Sequence, residues 1–299
     1  MKFPEPFLTG RPAISFELFP PKTEKALADL DDRLPKLLAL EPTFLTVTYG
    51  ALGTTRERTL EIAARIRRDF GRNVAHHLTC VGATRDEISR ILDQVAAAGI
   101  ENIVALRGDP PQGQTEFRPV EGGFRHASEL VEHIRSRGGF GIAVAGYPEK
   151  HVEAPDWRTD LGHLREKVEA GADIVVTQLF YDNRDYHVFV DRCREAGISV
   201  PIVPGLMPIQ SVDQIKRITS MCGARIPAPL ASALEGVRDE PAKVHQLAIE
   251  HCATQAAELL RAGVPGIHFY VLNQATQIAA IMERVEPVLE ELRTESRTA

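Results

Sequence analysis

Residues 13–22 read AISFELFPPK, an apolar run that carries one carboxylate, Glu17, and ends on two prolines, Pro20 and Pro21. Its β-branched and aromatic content predicts a buried strand, and proline, which has no amide hydrogen to give to a ladder, predicts an abrupt end to it. A charge inside such a strand is costly. Burial lifts a carboxyl above its ordinary value of about 4.3, so Glu17 is expected to keep a proton near neutrality and serve as a general acid; the other reading is a glutamate neutralised by a basic neighbour. Phe16 and Phe19 would keep its surroundings dry while the prolines turn the chain away.

Similar short runs recur at TFLTVTY (43–49), VAHHLTC (74–80), NIVALR (102–107), GIAVAG (141–146), DIVVTQLF (173–180), VPIVPGL (200–206) and GIHFYVL (266–272), making eight candidate strands. Most are separated by roughly 30 residues, the length of one βα unit, with apolar residues at helical spacing between them, as in Ile88, Ile91, Leu92 and Val95. Eight strands alternating with helices predict an α/β fold, a single (β/α)8 barrel spanning 1–299, with a doubly wound sheet as the alternative. Thr54 with Glu57, Thr84 with Glu87 and Ser211 with Gln214 fit the capping box that opens a helix just after a strand. The long interval 207–265 leaves room for extra helices at 228–236 and 240–262, residues 1–12 read as a lead-in, and the tail after Pro287 reads as a charged helix end that frays.

With 299 residues and 43% hydrophobic content the chain can bury a large core. A formal charge of −6 with both signs mixed gives no basic stripe for nucleic acid. Four scattered cysteines, Cys80, Cys193, Cys222 and Cys252, predict reduced thiols rather than disulfides or zinc, and no metal is expected. The N-terminus has no apolar signal region and no long uncharged apolar run occurs, which predicts a soluble cytoplasmic protein without a membrane partner.

In a barrel of this kind the reactive groups lie at the C-terminal ends of the strands. Glu17, Thr48 and Tyr49, His77 and Thr79, Arg107 and Asp109, Tyr147, Glu149 and His151, Gln178, and Tyr270 and Asn273 all fall there. Each also has an ordinary reading: Thr48 and Tyr49 are good strand formers, His77 suits a satisfied core position, and Arg107 with Asp109 makes a local ion pair. The LRGDPP turn is an expensive way to place such a pair, which favours function there. Gln178 offers an amide that donates and accepts at once, as a heterocycle edge requires. No GxGxxG, GxxxxGK[ST], HExxH or Ser/His/Asp signature is present, so Rossmann and P-loop nucleotide binding are disfavoured.

Taken together, SFELFPPKTE, TVTYGALGTTRERT, HHLTCVGAT, NIVALRGDPP, YPEKH, VEAGAD leading into TQLFYDN, IVPGLMPI and HFYVLN resemble the methylenetetrahydrofolate reductases of the bacterial type, in order from about residue 13 to residue 274. The resemblance implies an FAD-dependent barrel that reduces 5,10-methylenetetrahydrofolate to 5-methyltetrahydrofolate with NADH or NADPH, the two substrates using one pocket in turn, in one-carbon metabolism and methionine biosynthesis. It implies a homo-oligomer, dimer or tetramer. Alternatives are a flavin-dependent reductase of this fold acting on another pterin or C1 carrier, and a flavin-binding protein without catalysis.

Carried over by position, the resemblance implies Glu17 as general acid, Asp109 beside both flavin and folate, and Gln178, Gln214 and Tyr270 on the substrate side. The flavin cradle would comprise Thr48, His77, Arg107, Gly108, Asp109, His126, Ala127, Tyr147, His151, Ala154, Asp160, His163 and Lys167, with Arg107 and Lys167 meeting the phosphates. His126 stands where the family often has Tyr, and His163 and Glu166 where some relatives have Asn and Arg; Glu166 is therefore expected to face away from the phosphates. Ile218 occupies a position where an aromatic residue can stack on the ligand, and Gln274 replaces a usual Arg or Lys. The C-terminal regulatory domain of eukaryotic relatives has no counterpart in the sequence, so inhibition by S-adenosylmethionine is not expected.

Overall fold

The computed structural model describes residues 1–49, 56–110 and 116–298. Strands β1 (Ala13–Leu18), β2 (Phe44–Val47), β3 (Val74–Thr79), β4 (Asn102–Leu106), β5 (Gly141–Gly146) and β6 (Ile174–Thr177) pair in sequence order, every pair parallel, and β9 (Gly266–Tyr270) pairs with β1. Residues 202–206 close the ring: β7 (Ile202–Val203) lies on β6 and β8 (Gly205–Leu206) on β9. The expected (β/α)8 barrel is therefore present, but its seventh strand is divided at Pro204. Proline cannot donate to a ladder. Its carbonyl still accepts from the His268 amide at 2.9 Å, while the Gly205 amide turns to the Thr177 hydroxyl at 2.9 Å.

Helices α1 (Glu24–Leu38), α2 (Arg56–Phe70), α3 (Arg85–Ala97), α4 (Ala127–Arg137), α5 (Trp157–Glu169) and α6 (Asn183–Glu195) follow the first six strands, and α7 (Val212–Cys222), α8 (Ala228–Gly236), α9 (Pro241–Arg261) and α10 (Ala275–Thr298) complete the shell. The two helices expected from the long interval are α8 and α9. Thr84 and Glu87 form a full capping box on α3. At α7 the box is half made: Ser211 accepts from the Gln214 amide at 3.2 Å, but the Gln214 side chain accepts instead from the Gln210 amide at 3.0 Å. Thr54 lies outside the described residues. Pro287 sits inside α10, and the charged helix expected after it continues to Thr298.

Buried aliphatic residues fill the layer between sheet and helices, including Leu34, Ile66, Leu92, Ile134 and Leu259. The barrel interior divides in two. Its lower end is apolar, with Phe44, Ala75, Val104, Ala143, Ile174 and Val203 packed together under Phe3. The N-terminal segment is thus a stopper rather than a mere lead-in: the Phe3 amide donates to Asn102 Oδ1 at 2.9 Å and its ring meets Phe44 edge-on at 4.9 Å. The floor being sealed, access to the interior is from the C-terminal ends of the strands. Among the described residues no helix is long and apolar enough to cross a membrane.

Candidate active site

A cavity of about 710 Å³ opens at that end and is lined from every side of the barrel. A volume of this size suits a ligand of nucleotide or pterin dimensions. Of the residues singled out from sequence, Glu17, Thr48, Tyr49, His77, Arg107, Gly108, Asp109, His126, Ala127, Tyr147, His151, Ala154, Asp160, His163, Lys167, Gln178, Ile218 and Tyr270 all line it. Gln214 is not among the lining residues, because its carboxamide is taken up at the start of α7. Glu149 accepts from the Arg225 amide at 3.0 Å, and Asn273 bonds both the amide and the carbonyl of Phe19, at 3.0 and 2.9 Å, holding that ring at the rim.

At the floor, Glu17 is 7% exposed and takes three polar neighbours from three other strands. Thr46 Oγ1 on β2 donates to its Oε2 at 3.3 Å, and His77 Nε2 on β3 and His268 Nε2 on β9 each lie 3.3 Å from the same oxygen. His268 is 1% exposed, its Nδ1 is 2.8 Å from Ser15 Oγ, and its ring stacks over Phe44. These contacts correct the expectation that Glu17 rests protonated. Burial does raise the carboxyl, but the positive potential and hydrogen bonding of the two imidazoles outweigh it and hold the group down to about 2. The pocket floor has a carboxylate clamped between two histidines.

One flank of the cavity is built for an anion. Helix α4 begins at Ala127 with His126 as its cap residue and no side-chain cap, and His126, Ala127 and Ser128 line the cavity, so the positive end of the helix borders it. Gly108 has φ +86° and lies so close to β3 that a Cβ there would come 2.5 Å from Val81 Cγ2. Only glycine lets the backbone take that path. Lys167, on α5, donates to the Ala145 carbonyl at 2.6 Å, and burial pushes its ammonium down to about 8 despite the attraction of Asp160. Asp160 is itself raised by burial, although it accepts from the His151 amide at 3.2 Å.

Arg107 pairs with both carboxylate oxygens of Glu153, at 2.6 and 2.7 Å, rather than with Asp109. Tyr147 and His151 meet edge-on at 4.5 Å; burial raises the phenol and lowers the imidazole, so both are neutral near pH 7. Glu166 lines the cavity, contrary to the expectation that it faces away. It lies one helical step from His163 and beside Lys167, which puts all three on the inward side of α5. The lining fits a flavin dinucleotide: the uncapped start of α4, a desolvated ammonium and a guanidinium for the diphosphate, and Ala105, Leu106, Val144 and Ala145 as an apolar wall for a ring system.

On the opposite side, the Gln178 carboxamide is fixed by the Leu179 amide, which donates to its Oε1 at 2.8 Å. Tyr270 Oη donates to the Thr177 carbonyl at 2.6 Å. The sequence reading missed His268, Thr46 and Glu153. For the first two a signal existed: period-two alternation puts His268 on the same face of β9 as Tyr270, and the barrel register sets Thr46 beside Glu17. Glu153 lies in a loop, where no periodicity speaks.

The methylenetetrahydrofolate reductase sequence profile matches residues 3–286. The chain is 40% identical over 273 residues to 5,10-methylenetetrahydrofolate reductase of Escherichia coli, covering 91% of this chain and 90% of that protein. It is 44% identical over 275 residues to methylenetetrahydrofolate reductase (NADH) 1 of Arabidopsis thaliana, covering 88% of this chain and 46% of that one, so it spans about half the length of the plant relative. In fold it is similar to an uncharacterized Clostridium thermocellum protein that binds two copies of 5-methyl-5,6,7,8-tetrahydrofolic acid, with a TM-score of 0.61, 18% identity and coverage of 96% of this chain and 98% of that one. By its sequence across nearly the whole barrel, the chain belongs to the methylenetetrahydrofolate reductase family.

Proposed function

We propose that the chain reduces 5,10-methylenetetrahydrofolate to 5-methyltetrahydrofolate with NADH or NADPH and a bound FAD, and that Glu17 is the general acid. The observation that carries this reading is the placement of one carboxylate on the floor of an open, otherwise sealed barrel, between two imidazoles and opposite a flank suited to a diphosphate. Bound flavin would supply the two-electron chemistry, accepting hydride from the nicotinamide nucleotide and yielding it to the folate that next occupies the same pocket. The protein's part is positional and protonic. Arg107, Lys167 and the first amides of α4 would hold the diphosphate, with Thr48, His77, Tyr147, His151, Ala154 and Asp160 around the rest of the cofactor.

Gln178 and Tyr270 would orient the pterin, and Asp109 at the rim would sit between the two ligands. Breaking the substrate's five-membered ring leaves an electron pair on the departing nitrogen, which would take a proton from Glu17 after the carboxylate has itself taken one up from solvent, while the carbon becomes an iminium ready for hydride. Positioned acids of this kind contribute on the order of 10² to 10⁴ in rate. In Glu17→Gln, reduction of the bound flavin by NADH should keep its rate, while its reoxidation by methylenetetrahydrofolate should fall by about that factor. Stopped-flow absorbance of each half-reaction reads both. Wild-type rates in both halves would remove Glu17 from the role.

A further inference from the structure

The mouth of the cavity holds an aromatic ring with no ring of the protein packed on it. Four benzenoid side chains stand in the lining: Phe19, Tyr49, Tyr147 and Tyr270. Tyr49 meets His76 edge-on, Tyr147 meets His151 and Tyr270 meets His268, whereas Phe19 has no ring neighbour among the described residues and is 41% exposed. We propose that Asn273 is a positioning residue that sets Phe19 as the stacking face for the aminobenzoyl ring of the folate. This inference rests on methylenetetrahydrofolate reduction being the reaction, and it names the wall that holds the outer part of that substrate.

Phe19 is carried on a backbone fixed at both of its polar groups. Its amide donates to Asn273 Oδ1 at 3.0 Å, and Asn273 Nδ2 donates to its carbonyl at 2.9 Å. The chain is fastened on either side as well: the Thr48 amide donates to the Leu18 carbonyl at 2.9 Å, and Arg58 Nη1 donates to the Pro21 carbonyl at 2.7 Å. Pro20 and Pro21 lock φ between these points. A ring held in this way gives up little further freedom when a ligand stacks on it.

The clasp is kept in a costly conformation. Leu272 and Asn273 have φ +46° and +57°, in the left-handed region that asparagine tolerates and leucine resists. The surroundings hold them there: Arg33 Nη1 donates to the Asn273 carbonyl at 3.3 Å, and the Gln274 amide donates to the Val271 carbonyl at 2.7 Å. Backbone strain of this kind clusters where a ligand-facing group must be placed. Here the turn aims Asn273 at Phe19 and leaves Leu272 in the cavity lining. Glycine at 272 would make the turn freely but would give the cavity no side chain.

The spacing suits the substrate. Glu17 and Phe19 both line the cavity, two residues apart, which sets Phe19 about 6–7 Å nearer the mouth at roughly 3.3 Å per residue. The nitrogen released when the five-membered ring opens carries the aminobenzoyl ring directly. With that nitrogen near Glu17 at the floor, the aminobenzoyl ring rises to the level of Phe19. Ile218, also in the lining, is aliphatic and offers no aromatic face.

Calorimetric titration of the flavin-loaded enzyme with 5-methyltetrahydrofolate tests the assignment. Phe19→Leu should raise Kd about three- to tenfold and raise KM for methylenetetrahydrofolate by a similar factor with kcat unchanged, while the nicotinamide half-reaction keeps its rate. Phe19→Tyr should restore the affinity. Asn273→Gly keeps the left-handed turn but frees Phe19, so it should weaken binding to a similar degree, and adding Phe19→Leu to it should weaken binding little further. An asparagine with a merely structural role would give additive losses. An unchanged Kd in Phe19→Leu, additive losses in the double variant, or an equal loss in the nicotinamide half-reaction overturns the inference. If the unsubstituted enzyme does not reduce methylenetetrahydrofolate, the functional reading itself fails, a separate result. Should Asn273→Gly not fold, Asn273→Asp, which keeps the acceptor for the Phe19 amide and loses the donor to its carbonyl, takes its place in the cycle.

Discussion

Replacing Lys167 with methionine should make the flavin-free protein more stable and its flavin complex weaker. The ammonium is pushed from 10.5 to about 8 by burial, which outweighs the pull of Asp160. A displacement of that size corresponds to roughly 3 kcal/mol of charging penalty at pH 7. Methionine keeps the stem and removes the charge, but forfeits the hydrogen bond to the Ala145 carbonyl, a contact contributing about 1 kcal/mol. The net gain is about 1–2 kcal/mol, or a rise in Tm of roughly 2–6 °C for a protein of this size. The sign follows from linkage. Between about pH 8 and 10.5 the unfolded chain holds the proton that the folded chain has lost, so wild-type stability climbs with pH over that window. The gap between variant and wild type is therefore full at pH 7 and closes as pH rises from 8 toward 10.5. Saturating FAD should narrow or reverse the order, since a charge-assisted contact to phosphate strengthens the wild-type complex. Calorimetric melts of flavin-free protein at three pH values, with and without FAD, read all of this. A variant that melts below wild type at pH 7 without flavin, or a gap that stays constant to pH 10, refutes the reasoning.

Gly108→Ala should be destabilised by about 2–4 kcal/mol, since it adds a left-handed residue at φ +86° and a Cβ 2.5 Å from Val81 Cγ2; a lower urea midpoint with unchanged slope, and weaker flavin retention, would be seen. Glu166→Gln should bind FAD about two- to fivefold more tightly at low salt, with the gain fading as ionic strength rises, because it removes a like charge from the cavity wall beside Lys167; fluorescence titration at two salt concentrations measures it.

The barrel was legible because its signal is local. β-branched runs mark β1 through β6 and β9 to within a few residues at each end, and polar strand-end residues converge once the topology is known. What sequence could not supply depends on partners distant along the chain. Phe3 and Phe7 give no periodic pattern, yet closing the ring creates an apolar floor that needs a stopper. Pro204 stands inside the stretch read as one strand at 200–206, and the ladder bond it cannot make divides that strand in the structure. Glu149 and Gln214 are polar and near the mouth, but local geometry spends their side chains on the Arg225 and Gln210 amides.

Glu17 shows how far a single residue's environment lies beyond its neighbours in sequence. Burial can be read from the apolar run around it, and burial alone argues for a raised pKa. The opposite outcome comes from His77, which reaches Glu17 across β2, and from His268, 251 residues away, which meets it because β9 closes against β1. Of the two readings open from sequence, the neutralised charge is the one these contacts describe. The histidines and Thr46 satisfy the carboxylate, which lets a charge stay in a strand interior without unfolding the barrel. A glutamate isolated in an apolar pocket would be held in its neutral form by burial alone, so it is the partners brought from β2, β3 and β9 that let this strand carry a charge.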